Sequence, residues 1–152
     1  MYRHILVPVD SEGLSDSALE HAIGLSAALG SRISLMTVAQ LVYANLAQAA
    51  DIHHALEHED TSTARATHLL ELASSKLRAA KVPFDTIVYS GDKPSKGIAQ
   101  AAEDHGCDLI VMATHGGKHI NGFVFGSVAA SVLTRSSIPL LIIRDHDGGR
   151  QS

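Results

Sequence analysis

The sequence predicts a single domain with a doubly wound α/β fold, in which helices cover both faces of a five-stranded, mainly parallel sheet. Two observations support this prediction. Short apolar runs alternate along the chain with amphipathic segments, and the runs are apolar at nearly every position, as is typical of parallel strands buried on both faces. The 152 residues match the size of one domain. We expect residues 1–146 to form this domain and residues 147–152 to form a flexible tail.

Five runs rich in apolar and β-branched residues are predicted to be strands. They span residues 5–9, 33–38, 84–89, 109–113 and 139–143, and the run at 84–89 is the weakest of them. In doubly wound sheets, ligands bind beyond the carboxyl ends of the strands, where the strand order reverses. The loops that follow the first, second and fourth runs are therefore the predicted location of a binding site.

Four helices are predicted between the strands from apolar spacing and from end signals. The first has a capping box from Ser17 to Glu20 and ends at Gly30. The second ends before Pro83, and residues 39–60 ahead of it are open to three interpretations, a mobile flap, a short extra helix, or both. The predicted inward residues are Ala18, Ala22, Leu25 and Leu29 in the first helix and Ala66, Leu69, Leu70, Ala73, Leu77 and Ala80 in the second.

The third predicted helix runs from about Ser95 to His105, because Pro94 suits a first helical turn and Gly106 suits a C-cap. The fourth helix follows Gly126. Its predicted inward residues are Val128, Val132 and Leu133.

Composition and charge argue against several classes of function. The formal net charge of −4 and the pI of about 6.2 argue against a surface that binds nucleic acid. No apolar run approaches membrane length, and the amino terminus reaches Asp10 too soon for a signal peptide, so we expect a cytoplasmic protein. The single cysteine, Cys107, permits neither an internal disulfide nor a cysteine-based zinc site, and we interpret it as a core residue.

The most informative segment, residues 113–128, joins the fourth strand to the last helix. Three of its glycines can adopt conformations that other residues avoid, so that several amides can converge on an anion; they are Gly116, Gly117 and Gly126. Ser127 opens a helix, whose free amides and dipole suit a phosphate, and Lys118 can add a positive charge. A glycine-rich surface turn is the alternative interpretation. The segment is not a Walker loop, and the first strand lacks the G-x-G-x-x-G dinucleotide pattern.

Three stretches resemble the universal stress proteins, and the resemblance covers nearly the whole chain. They read I-L-V-P-V-D-S at 5–11, L-I-V-M-A-T-H-G at 109–116 and G-S-V-A at 126–129. The ATP-binding pattern of that family is G-x-x-G, nine residues, then G-[ST]. Gly116, residues 117–125 and the Gly126 and Ser127 pair match it, whereas Ala113 replaces the first glycine. If position 113 is extended backbone, alanine costs nothing there; a positive φ would strain it.

The resemblance implies a Rossmann-like, adenine nucleotide alpha hydrolase-like fold that binds ATP or a related adenine nucleotide, with or without Mg²⁺. Asp10 would meet ribose hydroxyls or a metal-bound water, and Val38 would pack on adenine. The implied ligand-binding residues are Pro8, Val9, Asp10, Val38, Ala113, Thr114, His115, Gly116, Gly117, Lys118, His119, Gly126, Ser127, Val128 and Ala129. Residues 91–94 resemble a loop of that family that lies beside the nucleotide, which implies a secondary contact with the ligand. The alternatives are a turn or capping role for Asp10, plain core for Val38, and a polar strand end for His115.

The implied function is a nucleotide-binding stress-response or signalling module with little or no catalysis. A slow ATP hydrolase that uses Asp10 or His115 and a nucleotide-free interaction protein are the alternatives. Residues 51–58 contain His54 and His58 at a spacing that can chelate a metal, but we interpret this stretch as a solvated loop and predict no metal site. The apolar run at 138–143 is predicted to lie at a sheet edge, and the resembled family dimerises through it, so we expect a homodimer.

Overall fold

The computed structural model describes residues 1–10, 15–40, 49–115 and 126–145, without the side chains of 15, 40, 49–62, 115 and 145. Within those ranges, parallel strands and helices alternate along the chain, which confirms the predicted fold class. The elements are β1 (His4–Pro8), α1 (Ser15–Leu29), β2 (Arg32–Gln40), α2 (Ala49–Ala79), β3 (Phe84–Gly91), α3 (Pro94–Asp104), β4 (Leu109–His115), α4 (Ser127–Arg135) and β5 (Leu140–Asp145).

The strands form one sheet in the order β3-β2-β1-β4-β5, and each neighbouring pair is parallel. Helices α1 and α2 pack on one face of the sheet, and α3 and α4 pack on the other. The chain winds outward from β1 in one direction and continues from β4 in the other. The strand order therefore reverses between β1 and β4, and the carboxyl ends of these two strands flank the crevice where such folds bind ligands.

Two hydrophobic cores fill the space between the sheet and its helices, because successive side chains of a strand point to opposite faces. In β1, Ile5 and Val7 belong to the core under α1 and α2, whereas Leu6 belongs to the core under α3 and α4. All three are fully buried. Each strand thus needs apolar residues at consecutive positions, which is the pattern that predicted a parallel sheet.

The predicted inward stripes are wrong at three positions. Ala80 is exposed, because α2 ends at Ala79. Leu29 is 44% exposed, and the buried face of α1 continues instead through Ser26, whose hydroxyl donates to the carbonyl of Ser31 where the chain reverses. Leu133 is 59% exposed, since α4 packs through Ala129 and Val132. A residue directly after Val132 is rotated by about 100° away from that contact.

The helix ends confirm some of the predicted signals and correct others. Helix α1 begins at Ser15, so Ser17 lies inside the helix and the predicted capping box is wrong. Helix α2 begins at Ala49, so the second half of the open segment at 39–60 is helical. Residues 51–58 therefore lie in α2, and their interpretation as a solvated loop is wrong. Gly30 and Gly106 have φ angles of 71° and 66°, the left-handed conformation expected of glycine after a helix.

Candidate functional site

The carboxyl end of β1 forms one wall of the crevice. Pro8 is half-buried and Asp10 is exposed. The side chain of Val9 is buried in the core under α1, and its amide donates to the carbonyl of Met36 at 2.8 Å. Asp10 therefore presents a carboxylate beside the crevice, whereas Val9 can offer a ligand little besides its backbone.

The amino terminus of α4 forms the opposite wall. The first intrahelical bond joins the Ala130 amide to the Gly126 carbonyl at 3.1 Å, so the amides of Ser127, Val128 and Ala129 have no intrahelical acceptor. No side chain of the described residues caps this end, and Ser127 is exposed. Free amides and the positive end of the helix dipole make it an anion-accepting position.

The sequence suggested that Gly126 adopts a backbone conformation that other residues avoid, and the structure shows that it does not. Its φ and ψ are −49° and 141°, which any residue can adopt. Among the described residues, a Cβ built on Gly126 would contact only the Cβ of Thr114, at 4.0 Å. Glycine is thus not required here for an unusual backbone, and its contribution is the absence of a side chain directly before the first turn of α4.

Thr114 carries a buried polar group without a partner, directly beside Gly126. Its side chain is 3% exposed, and its Oγ1 is the one buried side-chain oxygen or nitrogen in the described ranges that has no hydrogen bond. Such a group costs about 1–3 kcal/mol of folding stability. The crevice therefore contains a hydroxyl that a bound ligand can satisfy.

Ala113, which departs from the family pattern, lies in regular strand. It pairs with Ile143 of β5, and the only non-glycine residue with a positive φ in the described ranges is Lys81. Alanine is consequently unstrained at position 113, as the extended-backbone interpretation required.

Val38 and Tyr89 continue the site along the carboxyl ends of β2 and β3. They are paired in the sheet, and both are half-buried beside the core under α3 and α4. A Cβ built on Gly97 of α3 would lie 2.3 Å from the Tyr89 ring, and one on Gly91 would lie 2.6 Å from it. These two glycines make room for the ring, which sequence reasoning missed.

Four predicted ligand-binding residues, Gly116, Gly117, Lys118 and His119, lie outside the described residues, and so does the tail at 147–152. The backbone of His115 ends β4, paired with Asp145. The structure brings the other predicted residues together on the two sides of the β1 and β4 crevice, with Val38 one strand further along.

A second polar cluster lies at the opposite, amino end of the sheet and links three strands. Nε2 of His4 in β1 lies 2.7 Å from Oγ of Ser34 in β2, and that hydroxyl donates to Asp85 in β3. Arg32 pairs with Asp85 at 2.7 Å. Burial, followed by the charge of Arg32, lowers the pKa of His4.

The histidine, serine and aspartate of this cluster are arranged differently from a catalytic triad. Because the Ser34 hydroxyl donates to Asp85, its oxygen accepts from His4, and the imidazole cannot remove its proton. Ser34 is also fully buried. The cluster is a structural link between strands.

The remaining groups with shifted pKa values are near the same end of the sheet. Burial raises the pKa of Cys107 to about 11, as expected for a core thiol. Desolvation opposes a lower pKa for Asp108, but hydrogen bonds from the Arg3 and His4 amides outweigh it and lower the pKa. Within the described ranges no group of three or more His, Cys, Asp or Glu side chains could hold a metal, and no helix is long and apolar enough to cross a membrane.

Fold and site together define a doubly wound α/β domain with an anion-accepting helix end at the reversal of its strand order. The sequence profile of the Universal stress protein family matches residues 1–144. The chain therefore belongs to the universal stress protein family.

Three proteins similar to this chain are informative. The universal stress protein MJ0577 of Methanocaldococcus jannaschii is 24% identical, over 95% of this chain and 96% of its own sequence. Its solved structure has a TM-score of 0.80, with 97% of this chain and 99% of that chain covered. A universal stress protein solved in complex with cAMP has a TM-score of 0.70 at 23% identity, over 93% of this chain and 97% of that one.

The third similar protein is a universal stress protein family member from Arabidopsis thaliana, solved with AMP bound. Its TM-score is 0.62 at 18% identity, and the alignment covers 99% of this chain and 96% of that one. At such identities the structural likeness establishes the shared fold.

Proposed function

We propose that this protein binds an adenine nucleotide, ATP, ADP or AMP, in the crevice between β1 and β4 and acts as a stress-response or signalling module with little or no catalysis. The observation that carries the proposal is the carboxyl end of β4. There the side chain of Thr114, whose buried hydroxyl has no hydrogen bond, lies beside Gly126, the residue before the first turn of α4. Both features suit the phosphate end of a nucleotide.

The adenosine end would lie toward β1 and β2. The carboxylate of Asp10 suits ribose hydroxyls, and the half-buried Val38 offers an apolar surface for the base. Relatives with the same fold support the ligand class, since one was solved with cAMP and another with AMP. A Mg²⁺ ion bound with the phosphates could use Asp10 through a water molecule.

We propose binding without rapid hydrolysis. Hydrolysis of a nucleoside triphosphate needs an in-line water, a group that orients it and charge stabilisation of the transferred phosphoryl group. Asp10 is the candidate for a water-orienting role within the described part of the crevice. We therefore propose that any hydrolysis is slow and that the bound nucleotide serves as a signal.

The proposed assembly is a homodimer through the last strand, residues 138–143. Strand β5 is the outermost strand of the sheet on its side, and Leu141 is 37% exposed on it. An apolar parallel edge of this kind is normally covered. A second copy would cover it on both partners at once, since a two-fold interface uses the same surface twice.

Calorimetric titration of ATP, AMP and cAMP into nucleotide-free protein and into a Gly126→Val variant tests the site. Valine fits the backbone at 126, and we expect its side chain, directly before the first turn of α4, to hinder the approach of a phosphate to the helix amides. We expect affinity to fall by about tenfold or more, which corresponds to about 1.4 kcal/mol or more.

The control is Gly24→Ala, because a Cβ at Gly24 of α1 meets nothing within 4 Å. It should leave the nucleotide affinity unchanged. Equal nucleotide affinities in the wild type and in Gly126→Val would show that the amino terminus of α4 does not contact the ligand.

A further inference from the structure

Two histidines of α2, His54 and His58, have no role in the proposed nucleotide site. A loop at 51–58 would give them no fixed separation, but Ala49–Ala79 form one continuous helix. Residues four apart in an α-helix are separated by about 6 Å along the axis and by about 40° around it. The two histidines therefore lie on one face of α2, one turn apart.

Asp51 occupies the same face, one turn before His54. Its position is about 60° around the helix from that of His54 and about 20° from that of His58. The side chains of residues 49–62 are outside the described ones, so this placement follows from the helical backbone alone. A carboxylic acid and two histidines thus follow one another along a single strip of the helix.

In the described half of α2, the same face is exposed. About 18 residues make five turns of an α-helix, so Leu72 is aligned with position 54, and Arg65 is within about 20° of position 58. Leu72 and Arg65 are both exposed, whereas α2 packs on the sheet through Leu70 and Leu77. The strip with the two histidines is therefore not on the packed face of the helix.

The residues around the histidines favour a cation. Residues 49–64 contain Asp51, Glu57, Glu59 and Asp60 and no lysine or arginine. This local negative charge attracts positive ions. Imidazole nitrogen is the commonest metal ligand in proteins and suits zinc, copper and nickel, whereas acidic groups alone suit magnesium or calcium.

We propose that the face of α2 that carries Asp51, His54 and His58 is a site for a divalent transition-metal ion such as Zn²⁺. Two histidines at this spacing on a helix are an arrangement that zinc-binding proteins use. The proposal replaces the expectation of no metal site, which depended on a loop at 51–58. It involves none of the residues assigned to the nucleotide, so neither proposal depends on the other.

Calorimetric titration of ZnCl₂ into nucleotide-free protein without an affinity tag, at pH ~7.5 where an ordinary imidazole is neutral, tests the site. We expect saturable zinc binding. His54→Gln and His58→Gln should each weaken it by about tenfold or more, and Asp51→Asn by about threefold. Glutamine is a good helix former, so α2 should keep its helical structure in the histidine variants. Far-ultraviolet circular dichroism checks this.

His53→Gln and His68→Gln are the matched controls. His53 is next to His54 in the chain, but its position is about 100° away around the helix. His68 lies about 15 Å further along α2 than His58. Both variants should keep the zinc affinity within about twofold of the wild type. Millimolar MgCl₂ should not displace the zinc, because Mg²⁺ prefers oxygen ligands.

Three results would overturn the metal site: a wild type that does not bind zinc, unchanged zinc affinity in His54→Gln and His58→Gln, or an equal loss of affinity in His53→Gln. Displacement of zinc by MgCl₂ would also contradict it, since it would indicate a site made of carboxylates. These results leave the proposed nucleotide site unaffected, because the titrations contain no nucleotide and no nucleotide-site residue is changed.

Discussion

Gly97, in the interior of α3, shows how one missing side chain positions a residue at the edge of the site. A Cβ there would lie 2.3 Å from Cδ1 and 2.8 Å from Cγ of Tyr89, closer than real contacts allow. The ring can occupy this space only because position 97 has no side chain. Tyr89 is paired with Val38, so Gly97 indirectly supports the surface that we assign to the base.

Gly97→Ala should therefore destabilise the protein. Alanine favours a helix over glycine by about 0.5–1 kcal/mol, but displacement of the Tyr89 ring should cost about 1–3 kcal/mol and outweigh that gain. Urea unfolding measures the difference. The matched control is Gly24→Ala in α1, which has open space around it and should gain about 0.5–1 kcal/mol. Equal gains in the two variants would show that the ring moves aside freely.

At the scale of the elements, the chain of hydrogen bonds from His4 through Ser34 to Asp85 joins β1, β2 and β3. His4 is faced by Arg32, Asp85, Asp108 and His105, and the net effect of burial and these charges is a lowered pKa. The folded protein consequently takes up a proton on His4 less readily than the unfolded chain does. Its contribution to stability is complete above pH ~6.5 and is lost as the pH falls below that value toward the folded pKa.

We expect His4→Gln to make stability less dependent on pH. Glutamine retains an N–H that can donate to Ser34 but does not titrate. Unfolding free energies from urea titrations at about pH 7.5 and pH 5.5 should therefore differ less in the variant than in the wild type. The titration of Asp108 does not affect this comparison. Its pKa is lowered from the ordinary value of 3.8, so it changes the unfolding free energy only at a pH well below 5.5. An unchanged pH dependence would contradict this assignment to His4.

Sequence patterns predicted the elements better than their contacts. Strands and helices follow from local apolar spacing, and Gly30 and Gly106 end helices as local rules require. The orientation of α4 depends on its packing, which is why Leu133 was wrongly placed inside. Contacts between strands need the strand order and register. His4 and Ser34 are 30 residues apart in the chain and could not be paired from their local sequence.

The candidate site, too, was predicted only in part from the sequence. The end of β1 and the start of α4 were identified from the motif. The unpartnered state of the Thr114 hydroxyl could not be predicted, because it depends on packing that no local pattern reveals.

For the whole molecule, the proposed dimer predicts a mass of twice 16.0 kDa in solution. Size-exclusion chromatography with light scattering measures it, and we expect Leu141→Lys to shift the protein toward monomer. Lysine at a sheet edge disfavours contact with another apolar edge. The control is Leu72→Lys on α2, where the wild-type leucine is 55% exposed, and it should remain dimeric. A wild-type monomer at tens of micromolar would contradict the dimer.

The central claim is that the crevice between β1 and β4 holds an adenine nucleotide. Denaturation of freshly purified protein, followed by mass spectrometry of the released small molecules, tests it most directly because no ligand has to be chosen in advance. We predict an adenine nucleotide in the supernatant, and renewed binding when it is titrated into emptied protein. Release of no adenine nucleotide, together with no heat on titration of ATP, AMP or cAMP, would contradict the claim.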